Sequence, residues 1–115
     1  MHFKLIIALA EDQRVPKIVE AARAAGATGS TVINQASGEG LKQSKTFLGL
    51  KFEAQRDMML FLVEEHLSRD ILEAIAKAGE FDKPNTGMAF QIDVEDVVGI
   101  KLQINSLTQV VEEEI

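Results

Sequence analysis

Two runs of the chain are apolar on both sides of an extended backbone, and they constrain the fold more than any other feature. From Phe3 to Leu9 every odd position is apolar, and Ile6 and Ala8 make the even side largely apolar as well. From Met58 to Val63 six consecutive residues are apolar, a run too short for a typical helix. Strands of this composition need cover on both faces of their sheet. The sequence therefore predicts two buried strands.

The intervening segments predict the remaining elements. Apolar residues at helical spacing predict a helix over 15–25. Ser68 predicts the start of a second helix as its N-cap, with Leu67 and Leu72 as a hydrophobic staple and Gly79 at its end. The further predicted strands are Thr31–Ile33, Met88–Glu95 and a short fifth one, Ile100–Asn105.

The resulting order is β-α-β-β-α-β with an extra C-terminal strand, which is the ferredoxin-like α+β arrangement. Both helices then cover one face of a four-stranded sheet. Because the two buried strands are apolar on both faces, the other face would expose a large apolar patch in a monomer. The sequence predicts an oligomer built from one domain over residues 1–115, without internal repeats or composition shifts.

Composition and charge exclude several classes of function. The formal net charge is −6, which opposes an extended grip on phosphate backbones and so predicts no nucleic-acid partner. The chain has no Cys and two His, which excludes thiol chemistry and cysteine-based metal sites. Its apolar runs are too short to insert in a membrane, and no signal-peptide layout is present, so a cytoplasmic location is expected.

Three sequence stretches carry a resemblance to a known family. Gly26–Val32 has the form G-x-T-G-x-T-V, Thr86–Asp96 has the pattern of a loop followed by a strand, and Leu72–Ile75 lies in the second predicted helix. Together these stretches resemble the PII signalling proteins, over residues 3 to 101. The resemblance implies a homotrimer with ATP or ADP, or else AMP, in each intersubunit cleft, and leaves open whether Mg²⁺ accompanies the phosphates.

The resemblance also implies a nucleotide site made of four segments. Thr31 would lie near adenine, and Gly38 and Gly40 would border the nucleotide at the base of the T-loop, at about 38–56, which is shorter here than in typical members. Arg56, Lys83 and Lys101 would be basic supports. A second loop, the B-loop at about 81–88, would contribute Asn85, Thr86, Gly87 and Met88. Backbone amides at Gly87 in this loop would contact phosphate.

Several positions depart from the family pattern. Gly99 and Lys101 stand where the family has two arginines, and Met88 stands where its B-loop has a lysine. These changes remove bidentate phosphate contacts. An alternative therefore stays open: a divergent trimer of the same fold without a nucleotide site, which responds to a metal or a small anion or acts purely in protein interaction.

The predicted T-loop combines basic and apolar residues. Residues 38–56 hold four basic and two acidic side chains, a net +2 on an acidic protein. Both an anion-binding loop and a solvated hairpin fit this pattern. The resemblance implies contact with a partner, such as a membrane transporter or an enzyme, through Lys42, Lys45, Thr46, Phe47 and Leu48; packing of this stretch onto the trimer is the alternative. Because the chain has no Tyr, tyrosyl uridylylation is excluded.

No constellation of catalytic residues is evident. Glu64, Glu65, His66 and His2 form the one conceivable metal or acid–base cluster, and a solvated turn before a helix is the favoured interpretation. We therefore expect no enzyme activity and no metal site. The sequence favours a PII-like protein of nitrogen regulation that binds an adenine nucleotide and controls a partner protein through its T-loop.

Overall fold

The computed structural model describes residues 1–34, 46–47, 50–51 and 56–100. The elements are β1 (Phe3–Glu11), a 3-10 turn (Asp12–Arg14), α1 (Val15–Ala24), β2 (Thr31–Ile33), β3 (Thr46–Phe47), β4 (Leu50–Lys51), β5 (Arg56–Glu64), α2 (Glu65–Ala78) and β6 (Gly87–Val94).

The sheet is antiparallel, with the strand order β2-β5-β1-β6. In its centre Ile7 of β1 pairs with Leu60 of β5 on one side and with Phe90 of β6 on the other. The two long strands predicted to be buried, β1 and β5, are indeed the two inner strands. This order confirms the predicted ferredoxin-like α+β fold.

The core lies between the sheet and the two helices. Side chains on the helix-facing side of the sheet meet apolar side chains of α1 and α2, and nearly all of this contact is fully buried. The buried apolar residues on this side of the sheet are Ile6, Ala8, Ala10, Met59, Phe61 and Val63, and those of the helices are Ile18, Ala22, Leu67, Ile71 and Ile75.

The opposite side of the sheet, which we call the open face, is also apolar. Antiparallel pairing places Leu5, Ile7 and Leu9 on one side of the sheet together with their partners Leu62, Leu60 and Met58 of β5 and Ile92, Phe90 and Met88 of β6. Most of these side chains are only partly buried, and Ile92 is 48% exposed. The large apolar patch predicted from the sequence is therefore present on the open face.

The predicted helices are present, and one boundary differs. The helix α1 ends in a Schellman turn, in which Ala27 N–H donates to Ala22 O at 2.9 Å and Gly26 N–H donates to Arg23 O at 3.0 Å. Gly26 adopts φ 123°, a conformation that favours glycine.

Helix α2 begins three residues before the predicted cap. Its N-cap is Glu64, whose carboxylate accepts the N–H of His66 at 2.7 Å. Ser68 lies inside the first turn and donates to Glu65 O at 2.9 Å, so the predictions of a Ser68 cap and of its staple were wrong. The predicted fifth strand lies, apart from Ile100, outside the described residues, and so do residues 105–115, which we interpret from the sequence as a C-terminal tail.

Candidate functional site

The B-loop connects α2 to β6 and is held by its own backbone and by Thr86. Thr86 is 7% exposed, and its hydroxyl lies 2.8 Å from Glu80 O and 2.9 Å from Lys83 O, so it donates to one of the two carbonyls at a time. Lys83 N–H also donates to Glu80 O at 3.0 Å. These contacts fold the loop into consecutive tight turns.

Arg56, the first residue of β5, ties the end of the B-loop to the sheet. The residue is 3% exposed, and its guanidinium donates to the backbone oxygens of Thr86 at 2.9 Å and Asn85 at 2.6 Å. Charge-assisted bonds of this kind are stronger than bonds between neutral groups. Asn85 takes a left-handed conformation, φ 62°, which asparagine tolerates better than most residues. The end of the loop is therefore bound at two successive carbonyls.

Gly87 is required by a close backbone approach. A Cβ atom built at this position would lie 2.4 Å from Leu9 O, well inside van der Waals contact. Gly87 pairs with Ala10 at the start of β6, and Met88 pairs with Leu9. Any larger residue at position 87 would push the B-loop away from β1.

The charges around the B-loop are paired. Glu80 accepts a hydrogen bond from Lys83 Nζ at 2.8 Å and one from Arg14 at 2.7 Å, and Arg14 also donates to Gly79 O at 3.1 Å. The hydrogen bonds from Lys83 and Arg14 lower the pKa of Glu80 to about 2. Lys83, predicted as a support for phosphate, therefore pairs with the carboxylate of Glu80 in this structure.

A second candidate region lies beside β2. A cavity of about 250 Å³ opens there on the open face, next to Thr31. Its lining residues are Phe3, Thr28, Gly29, Ser30, Thr31, Leu60, Leu62 and Ile100. Polar groups of residues 28–31 thus border an apolar floor, which suits a flat ring with polar edges. Lys101 follows Ile100 directly in the sequence and lies outside the described residues.

The two regions lie on opposite edges of the sheet. Thr31 belongs to β2 and Gly87 to β6, and these are the two edge strands. Three spacings between neighbouring strands separate β2 from β6, or about 14 Å. One chain therefore brings Arg56, Asn85, Thr86 and Gly87 together, with Lys83 and Met88 close in sequence, and keeps Thr31 apart from them.

The structure does not describe the whole predicted site. The backbone of Thr46 and Phe47 forms β3, which pairs with β4 within the predicted T-loop. The predicted residues that lie outside the described ranges are Gly38, Gly40, Lys42, Lys45, Leu48 and Lys101.

Two residues at the B-loop were not predicted from the sequence. Arg14 and Glu80 brace its first half, although they stand 66 positions apart. The sequence signals at both residues are local ones, a turn after β1 and a turn after α2. The contact between them depends on how the elements pack.

The cluster of Glu64, Glu65 and His66 has a structural task. The carboxylate of Glu64 is 1% exposed, and besides capping α2 it contacts His66 Nδ1 at 2.6 Å. Potential ligand atoms of the three residues lie within 4.8 Å of one another. Both carboxylate oxygens of Glu64 are engaged by His66, which accounts for the burial of an acidic side chain.

Split βαβ connectivity, two helices on one face of an antiparallel sheet and a braced loop at its edge place the chain among the small ferredoxin-like α+β domains. The family model of nitrogen regulatory protein P-II matches residues 3–103, and the chain belongs to this family. Family membership, predicted from three short stretches, is thereby confirmed. Members of this family are regulatory proteins. No curated protein sequence matches the chain significantly.

Solved structures share the fold at low sequence identity. A PII-like signalling protein from Thermus thermophilus is 24% identical, with a TM-score of 0.59 over 82% of this chain and 87% of that chain. The protein CPII from Thiomonas intermedia K12, bound to ADP, AMP and acetate, is 21% identical, with a TM-score of 0.59 over 83% of this chain and 90% of that chain.

A second structure of CPII, a nitrogen regulatory PII-like protein, is bound to ADP, AMP and bicarbonate. It is 18% identical, with a TM-score of 0.63 over 87% of this chain and 98% of that chain. Within the described residues, neither helix is long and apolar enough to cross a membrane.

Proposed function

We propose that this P-II family protein binds an adenine nucleotide between subunits and transmits its presence to a partner protein. The observation that carries the proposal is the location of the two candidate regions, the Thr31 cavity and the B-loop, on opposite edges of one sheet. A ligand that needs both regions has to contact two chains. The ADP and AMP bound to CPII of Thiomonas intermedia K12 support adenine nucleotides as the ligand class.

The assembly we propose is a homotrimer. The open face carries apolar side chains from three strands, among them Ile7, Leu60 and Phe90, and its burial against further copies of the chain is favoured by the hydrophobic effect. Closed cyclic assembly repeats one heterologous contact, which joins the β2 edge of one chain to the β6 edge of the next. Three equivalent clefts result.

Nucleotide chemistry assigns different tasks to the two regions. Adenine enters the apolar cavity beside Thr31, and the phosphates lie against the B-loop amides near Gly87, with Lys83, Lys101 and the T-loop glycines Gly38 and Gly40 around them. The ligand is ATP, ADP or AMP, with or without Mg²⁺. Occupancy shifts the conformational populations of residues 38–56.

The output of this sensor is a protein contact in the cytoplasm. Lys42, Lys45, Thr46, Phe47 and Leu48 offer positive charge and an apolar anchor to a target such as a transporter or an enzyme of nitrogen metabolism. The protein itself catalyses no reaction in this scheme. Its role is to report ligand occupancy.

One observation favours a second candidate function, a response to a small anion without nucleotide. Gly99 offers no side chain for phosphate, and a Cβ built there meets no atom within 4 Å. CPII holds acetate in one structure and bicarbonate in another, beside the nucleotides. A site of reduced positive charge suits a small, singly charged anion better than a polyphosphate.

The test is a calorimetric titration of the protein after its mass in solution has been measured by light scattering. ATP, ADP and AMP are each titrated with and without Mg²⁺, and bicarbonate and acetate are titrated alone. Saturable binding of one nucleotide per chain to a trimer supports the first function. Heat with bicarbonate or acetate and none with any nucleotide supports the second, and a well-folded monomer overturns the proposal of a shared cleft.

A further inference from the structure

We propose that Arg56 is a positioning residue, which shapes the B-loop for the ligand from behind the loop and does not itself contact phosphate. This inference rests on the proposed nucleotide function. The Arg56 guanidinium donates to two successive backbone oxygens, Asn85 O and Thr86 O, and the residue is 3% exposed. Two donors of this buried guanidinium are therefore directed at the loop.

The direction of the loop amides follows from peptide geometry. The described peptide bonds are trans, so the N–H of each unit points away from its C=O. The two carbonyls that face Arg56 belong to the same peptide units as the N–H groups of Thr86 and Gly87. Both N–H groups are therefore turned to the side of the chain opposite the guanidinium, the orientation that a ligand placed there would use.

Other side chains also fix the loop through hydrogen bonds to backbone oxygens. Arg14 donates to Gly79 O at 3.1 Å at the beginning of the loop, and Thr86 ties the end of the loop to Glu80 O or Lys83 O. Gly87 packs against Leu9 O. A loop fixed at both ends loses little further conformational freedom when it binds a ligand, and preorganisation of this kind raises affinity.

The charge of Arg56 has an additional effect on the loop. A cation that lies on the carbonyl side of a peptide unit polarises that unit, and chains of polarised hydrogen bonds strengthen one another. The N–H groups of Thr86 and Gly87 become better donors to an anion as a result. Arg56 thus acts on the ligand through two peptide units.

The experiment measures ADP affinity in three variants of the full-length chain. Arg56→Met keeps much of the side-chain volume and removes both donors, and Arg56→Lys keeps the charge but lacks the planar fork that reaches both carbonyls. Arg69→Met is the matched control, because Arg69 is 74% exposed on α2 and pairs only with Glu73 among the described residues. Trimer mass and unfolding midpoint are recorded for every variant.

We expect ADP to bind about tenfold or more weakly to the folded Arg56→Met trimer, to bind with intermediate affinity to Arg56→Lys, and to bind normally to Arg69→Met. The amide resonances of Thr86 and Gly87 should shift and exchange faster in Arg56→Met. Normal ADP affinity in Arg56→Met overturns the inference. If Arg56→Met does not fold, normal affinity in Arg56→Lys, with the Thr86 and Gly87 resonances unmoved, overturns it.

Chemical rescue separates positioning from a general effect on folding. In Arg56→Ala, methylguanidinium at a concentration far below the denaturing range should restore part of the ADP affinity, whereas methylammonium should not. Equal recovery with both cations contradicts a requirement for the two-donor geometry. If the unmodified protein binds no nucleotide at all, the proposed function fails first, and the resonances of Thr86 and Gly87 still report whether Arg56 holds the loop.

Discussion

At the scale of single residues, Glu80 links Arg14, which precedes α1, to Lys83 of the B-loop. It has a positive φ of 55° and accepts hydrogen bonds from Arg14 and Lys83. Its pKa falls from 4.5 to about 2, mainly because of the hydrogen bond from Lys83. The ionised carboxylate is therefore the form that the folded protein favours.

A prediction for acid stability follows. Because the pKa of Glu80 is lower in the folded than in the unfolded chain, its contribution is complete above about pH 4.5 and is lost as the pH falls towards about 2. Urea unfolding should show Glu80→Gln to be less stable than the unmodified protein at pH 6. The difference in the free energy of unfolding should shrink as the pH falls from 4.5 towards about 2. Since Glu80 and Lys83 are both exposed, high salt should screen their attraction and reduce the stability difference at pH 6. A difference that grows in acid would contradict the assignment.

Gly87 gives a second prediction at this scale. The Gly87→Ala variant places a methyl group 2.4 Å from Leu9 O, and the backbone has to shift to relieve the contact. We expect a loss of about 1–3 kcal/mol in the free energy of unfolding, measured with urea. Gly29→Ala is the matched control, because an added Cβ there meets nothing within 4 Å. Equal stability of the two variants would contradict this expectation, because it would show that β6 can shift away from Leu9 O without a loss in the free energy of unfolding.

At the scale of elements, periodicity was sufficient to place the long segments. The strands β1, β5 and β6 and both helices occur where apolar spacing predicts them, since one-sided and two-sided burial leave different patterns in the sequence. The beginning of α2 was misplaced because two candidate caps compete. Glu64 prevails with help from the residue just before β1: His2 O accepts the N–H of Glu65 at 2.9 Å.

This competition is testable. Glu64→Ala removes the N-cap and leaves the His66 N–H without its acceptor, so we expect a loss of about 0.5–2 kcal/mol or more in the free energy of unfolding. Ser68→Ala removes only a hydroxyl that donates to Glu65 O within the helix, and its effect should be smaller. Chemical denaturation of both variants, with helix content followed by circular dichroism, measures the difference. A larger loss in Ser68→Ala would restore Ser68 as the cap.

The candidate site was less predictable than the elements, for a physical reason. Asn85, Thr86 and Gly87 are neighbours in sequence, so one motif finds them together, whereas the partners that orient them come from other elements. Arg56 stands 30 positions before Thr86, and its donors reach the loop from the start of β5. Such contacts are set by sheet register and packing, and these produce no recurring pattern of residues in the sequence.

At the scale of the whole molecule, the open face connects fold and function. The pattern of two-sided apolar strands predicted an oligomer from the sequence, and the register then places that apolar surface between the two candidate regions. Burial of this surface in a trimer and completion of the cleft would be one event. A subunit with a perfect B-loop would have no site until a second chain supplied the Thr31 cavity.

The last prediction tests this sharing directly. Gly87→Ala damages the B-loop, and Thr31→Arg fills the cavity beside β2 while leaving the B-loop sequence intact. Each variant trimer alone should bind ADP poorly. When the two are unfolded together in equal amounts and refolded, about a quarter of the clefts should combine an intact B-loop from one chain with an intact cavity from the next, if subunits mix at random.

Calorimetry of this refolded mixture should then recover ADP binding with close to normal affinity at a reduced number of sites. A mixture of each variant with itself, treated in the same way, is the control and should recover nothing. If the hybrid trimers form, as shown by mass spectrometry of differently tagged chains, and still bind no ADP, the two regions do not form a common site. Recovery with normal affinity requires that neighbouring subunits complete each other's clefts, because neither chain carries both intact halves.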